Sequence, residues 1–217
     1  MVLKGQFLER PTLIPVGDVV LEGLSHRGRA SPPLLVLPPP AEEGGSMDHV
    51  VAAELAWAAA TAGFPTLRFN FRGVGASQGP RGDLAGRAAD ARAALQLLGE
   101  NAGTDAVVLA SIGGSASLAL ELADSLPAVR GLALVSPSAI APERFDPERL
   151  AGVARPLVVV VGELDGRLSR AALADAVTRA GGRLAVIEKA DAAFTRSLPQ
   201  VGKAVAHLLK RLAPLPT

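Results

Sequence analysis

The sequence has no cysteine, no tyrosine, a single tryptophan and only three histidines in 217 residues. Without cysteine there are no disulfides, no thiolate nucleophile and no cysteine-ligated metal. The histidines, His26, His49 and His207, lie too far apart in sequence to suggest a histidine-rich metal cluster, so neither metal nor cofactor is expected. Aromatic residues make up 3% of the chain, which leaves no stacking platform for single-stranded nucleic acid. Charge of one sign is not in excess either. Lys+Arg number 22 against 21 Asp+Glu, a formal net charge of +1, which points to neither a nucleic-acid nor an anionic-membrane partner. The densest apolar runs, such as 157–161, fall far short of the ~20 residues that a membrane span needs. The first ten residues, MVLKGQFLER, lack the apolar stretch of a signal peptide, so a soluble cytoplasmic protein is expected.

What the chain does have is 49% hydrophobic residues, mostly Ala, Val and Leu, and a length suited to one α/β domain over 1–217. Two alternating segments, 12–16 and 19–25, predict an antiparallel hairpin. Six short apolar runs follow, at 34–37, 66–69, 106–110, 132–135, 157–161 and 184–187. Runs without alternation suit strands covered on both faces, as in a parallel sheet. Helical spacing fills most of the gaps, at 48–62, 83–98, 115–126, 169–180 and 201–212, with Asp48 a candidate N-cap. Between 135 and 156 the pattern is broken by Pro137, Pro142 and Pro147. A hairpin followed by repeated strand–helix units predicts a doubly wound α/β sheet with helices on both faces.

In such sheets chemistry sits in the loops at the carboxyl ends of the strands. After the third parallel run comes Ser111-Ile-Gly-Gly114, leading straight into a helix. That is the outline of a nucleophile elbow, with Ser111 held out on a tight turn; a helix N-cap is the alternative role for the same serine. Asp165 follows a later strand in the order expected of a triad acid, and Gly166 beside it equally suits a plain turn.

The stretch Leu67-Arg-Phe-Asn-Phe-Arg-Gly-Val-Gly-Ala-Ser-Gln-Gly79, with Gly44-Gly-Ser-Met-Asp48 upstream, resembles the small lidless α/β-hydrolases of bacteria. These are relatives of the dienelactone-hydrolase-like serine esterases. The resemblance runs from the first parallel strand to the last helix. It implies an α/β-hydrolase fold with a mostly parallel sheet, Ser111 as nucleophile, the backbone N–H of Ile112 as an oxyanion donor and Asp165 as acid. Asp90 matches a helix position of the family, and its other assignment is a solvated helix charge.

Against the family pattern the chain departs at three places. The nucleophile motif Gly-x-Ser-x-Gly falls on Leu109-Ala-Ser-Ile-Gly113, so its first glycine is Leu109. The position of the triad histidine is Ala192, in Lys189-Ala-Asp-Ala-Ala-Phe194. A His-Pro-His-Pro-like stretch becomes Pro38-Pro-Pro-Ala41, followed by Glu42 and Glu43 where relatives are apolar or aromatic. A carboxylate there that points inward would repel the negative charge an oxyanion hole must stabilise, whereas one that points to solvent would not. Serine needs a base to attack near neutral pH. The expectation is therefore a degenerate hydrolase, inactive or weakly active, that binds a small molecule in the old cleft or another protein, a homodimer included. The alternative is a working esterase using Ser111 and Asp165 with His49 as surrogate base.

Overall fold

The computed structural model describes residues 7–138 and 145–214. Eight strands form one sheet: β1 (Arg10–Val16), β2 (Val19–His26), β3 (Leu34–Leu37), β4 (Thr66–Phe69), β5 (Val107–Ile112), β6 (Val129–Val135), β7 (Leu157–Gly162) and β8 (Arg183–Ile187). Their order across the sheet is β1-β2-β4-β3-β5-β6-β7-β8. The hairpin pairs antiparallel with itself and with β4, and every other pairing is parallel. The expected mixed sheet is present. β3 and β4 match the expected runs residue for residue, while β5 runs two residues further than its apolar run suggested.

Five helices cover the sheet: α1 (Val50–Thr61), α2 (Leu84–Ala102), α3 (Ala116–Ser125), α4 (Arg170–Arg179) and α5 (Leu198–Leu212). Successive strand residues point to opposite faces, which sorts the core into two layers. Leu35, Leu37, Leu109, Leu132 and Val159 pack with α2, α3 and α4. Leu34, Val36, Val108, Ala110 and Val160 pack with α1 and α5. Asp83 and Ser169 cap α2 and α4 through side-chain oxygens on Gly86 N–H and Ala172 N–H. α1 is capped by His49 rather than Asp48.

The proline-broken stretch begins and ends within the described residues. Residues 139–144, Pro142 among them, lie outside, and Pro147 opens a short 3-10 turn, Pro147–Gly152, capped by Asp146. Among the described residues no helix is long and apolar enough to cross a membrane.

Candidate functional site

The loops at the carboxyl ends of β3, β5, β6 and β7, with the segment after β8, enclose a cleft of about 310 Å³. Its floor is the turn between β5 and α3. β5 runs through Ser111 to Ile112, paired with Leu134 and Val135 of β6, and the chain turns at Gly113, whose φ is +59°. Ser111 therefore stands inside the strand, two residues before the turn on which the sequence placed it. The alternation of β5 sends its side chain to the same face as Leu109, away from Ile112, which lines the cleft. Ser111 is 0% exposed, and among the described residues neither His49 nor any other gives its Oγ a hydrogen bond. It is not the N-cap of α3 either; that position is Ser115, whose Oγ donates to Pro38 O at 2.6 Å.

The expected oxyanion donor moves with the turn. Ile112 remains in the ladder opposite Val135, and the backbone N–H that faces the cleft is that of Gly114. It donates to both carboxylate oxygens of Glu43, at 3.1 and 3.2 Å. Ser138 Oγ donates to Glu43 Oε1 at 2.6 Å. Of the two acidic residues after the proline run, Glu43 thus points inward. Glu42 is half exposed at the edge of the cleft and pairs with the buried Arg87, at 3.1 Å.

The local sequence aims Glu43. Pro38, Pro39 and Pro40 lead out of β3 buried and extended, and a 3-10 turn over Ala41–Glu43 reverses the chain. Gly44 ends that turn in the left-handed region, φ +68°, where its N–H reaches Ala41 O. A Cβ placed on Gly113 would overlap Glu43 Oε2, so the carboxylate fills the space in which a side chain at the turn would start.

Asp165 follows β7 and accepts from Ser136 Oγ at 2.9 Å. Arg167 Nε and Nη2 donate to its two oxygens at 3.0 and 2.8 Å, and Arg167 N donates to Oδ1 at 3.1 Å. The carboxylate is thus both a turn residue and half of a bidentate ion pair. Burial pushes the Asp165 carboxyl up, but the Arg167 and Ser136 hydrogen bonds outweigh it and hold the group below its ordinary range. Ala192 lines the same cleft as Gly113 and Arg167 and offers only a methyl group.

His49 also lines the cleft. Its Nδ1 accepts from Val51 N at 3.3 Å as the cap of α1, which leaves the proton of the neutral ring on Nε2. Burial lowers its pKa, partly offset by the Glu43 charge. The other two histidines lie elsewhere. His207 is exposed on α5, whereas His26 is buried at the end of β2 with Nδ1 2.9 Å from Thr66 Oγ1.

After β4, at the same end of the sheet, the Asn70–Gly79 loop is built from charged and polar pairs. Asn70 reaches past its own loop, accepting from Met47 N at 2.6 Å and donating to Glu22 Oε1 at 2.7 Å. Asp90, 0% exposed, accepts from Arg72 N, Nε and Nη2 at 2.9, 2.9 and 2.6 Å, so it is a buried partner of that loop and not a solvated helix charge. Arg68, on β4, binds Glu9 through Nε and Nη2 at 2.8 and 2.7 Å, and through Nη1 holds Met47 O and Asp48.

Comparison with known proteins agrees with this architecture. A serine hydrolase homologue from Coxiella burnetii is 25% identical, with a TM-score of 0.77 over 94% of this chain and 97% of its own. A lidless serine hydrolase from Xanthomonas campestris is 24% identical, with a TM-score of 0.78 over the whole of both chains. The chain has the α/β-hydrolase fold. An uncharacterised protein of Rickettsia prowazekii is 29% identical over 189 residues, 82% of this chain and 79% of the relative. No protein-family model matches. In α/β-hydrolases the nucleophile occupies the sharp strand-to-helix turn, and the N–H of the next residue helps to form the oxyanion hole. In this chain those two places hold Gly113 and Gly114. The signal was present in the sequence: Ser111 and Ser115 flank Gly113 with the small–x–turn–x–small spacing of the motif, two residues later than the frame built on Ser111.

Proposed function

We propose that this is an α/β-hydrolase-fold protein without serine-hydrolase activity, which keeps its cleft as a binding site for a small ligand. The observation that carries this is the Glu43 carboxylate on Gly114 N–H, in the space next to Gly113. A hydrolase needs three things there: a nucleophile on the turn, a free donor for the oxyanion and a base beside the acid. In this reading glycine replaces the nucleophile, Glu43 occupies the donor and opposes any developing negative charge, and Ala192 replaces the base. Arg167 takes over the carboxylate that would otherwise orient a histidine.

The working-esterase alternative requires Ser111 Oγ to reach a base and a substrate. Its burial and lack of any partner argue against both. The deciding experiment is hydrolysis of short acyl esters by the wild type and Ser111→Ala. The expected result is no turnover above the uncatalysed rate for either. Turnover in the wild type that disappears in Ser111→Ala would overturn the proposal.

A further inference from the structure

Charge in the cleft does not balance. Glu42 is paired with Arg87 and Asp165 with Arg167. Glu43 has only neutral donors, Gly114 N–H and Ser138 O–H, and among the described residues no lysine or arginine forms an ion pair with it. These donors fix the carboxylate without neutralising it, and a carboxylate has about four lone-pair directions, more than they use. Part of the wall around it is apolar, Pro39, Ile112, Ala192 and Ala193, and His49, Ser136 and Arg167 make up much of the rest. A volume of about 310 Å³ admits a small organic molecule. One carboxylate without a cationic partner, fixed in position and bordered on one side by aliphatic surface, selects a cation carrying a short carbon body.

We propose that the cleft binds a small aliphatic ammonium ion, with Glu43 as its counter-ion and Pro39, Ile112, Ala192 and Ala193 around its carbon chain. The inference rests on the cleft being a binding site and not a hydrolytic one. It adds the sign and class of the ligand. An ester carbonyl or a carboxylate would meet Glu43 head-on, whereas an ammonium donates to it while Gly114 and Ser138 keep their bonds. The guanidinium of Arg167 does not reverse the preference, because Asp165 neutralises it through a bidentate pair at Nε and Nη2.

The test uses three probes with one carbon body and three head-group charges: butylammonium, butanol and butanoate, at pH 7.5 and constant ionic strength. Binding is followed at the Gly114 amide by NMR titration and by calorimetry. Butylammonium should bind saturably, at least about tenfold more tightly than either of the others, the ratio set by one charged hydrogen bond. Glu43→Gln should bring butylammonium down to the level of butanol. Ala192→Phe, whose ring fills the mouth, should abolish binding without touching Glu43, and serves if Glu43→Gln does not fold. Equal or tighter binding of butanoate, no saturable binding of butylammonium, or binding indifferent to both substitutions would overturn the inference. The same samples are assayed with short esters. An inert protein that ignores butylammonium refutes the ligand assignment alone, and an active one refutes the function from which it starts.

Discussion

The carboxylate of Glu43 lies where the first atom of a side chain on Gly113 would have to go. The two residues are distant in sequence and come from different loops, one after β3 and one after β5, yet each sets what the other can be. Glycine at 113 makes room for the carboxylate, and the carboxylate takes up the N–H that the turn exposes. On the proposed reading, hydrolysis in this cleft would need more than one substitution.

Gly113→Ser is therefore expected to cost about 2–4 kcal/mol, from the left-handed backbone and the collision with Glu43. In a Glu43→Ala background the collision is gone, and the same change should cost about 1 kcal/mol. Denaturant unfolding of the four proteins in this cycle measures the coupling. Additive costs would mean that the two residues do not share the space.

Ser111→Ala should leave stability unchanged or raise it by up to about 1 kcal/mol. A buried hydroxyl without a partner gives up its bonds to water and gains none in the fold. A loss above about 1 kcal/mol in thermal or denaturant unfolding would show that the hydroxyl has a partner in solution.

Arg72→Met should cost about 3–5 kcal/mol, because it strands the fully buried Asp90 carboxylate. The double variant Arg72→Met, Asp90→Leu should recover much of that loss. Urea midpoints compared across the set decide it; equal losses in the single and double variants would refute the pairing.

Acid should weaken the fold before the carboxylates titrate. Burial lowers the pKa of both His26 and His49, with Glu9 partly offsetting it for the first and Glu43 for the second. An imidazole whose folded value lies below its unfolded value of about 6.5 takes up its proton more readily when the chain unfolds. Its contribution is complete above that value and is lost as pH falls through the window beneath it. Melting temperature should decline from pH 7 to pH 5, and His26→Gln with His49→Gln should flatten the slope. An unchanged slope would assign the loss to other groups.

The sheet was legible because unbroken apolar runs such as Leu34–Leu37 and Leu157–Gly162 leave few alternatives to strands covered on both sides. The place of Asp165 after a late strand was within reach of the residues themselves, whereas the inward option for Glu43 and the position of Ala192 came only with the family resemblance. The turn was not legible. Apolar character stops at Ala110, but hydrogen bonding to β6 carries the strand through Ser111 and Ile112, and pairing leaves no mark on a single sequence. A serine before two glycines then imitates an elbow two residues early. The ion pairs were hidden for a related reason: Asp90 and Arg72 look like surface charges until α2 is laid against the loop.

Arg68 ties the cleft to a part of the chain that contributes nothing to its lining. Its guanidinium spans from Glu9, ahead of the first strand, to Met47 and Asp48, where the chain enters the helix capped by His49. A fragment cut to begin at Arg10 would keep every strand and helix but lose one of the two counter-charges of a cation that is almost wholly enclosed. The damage would surface far from the cut, as a loosened rim beside His49. For this molecule a fragment that starts at the first residue of secondary structure starts too late.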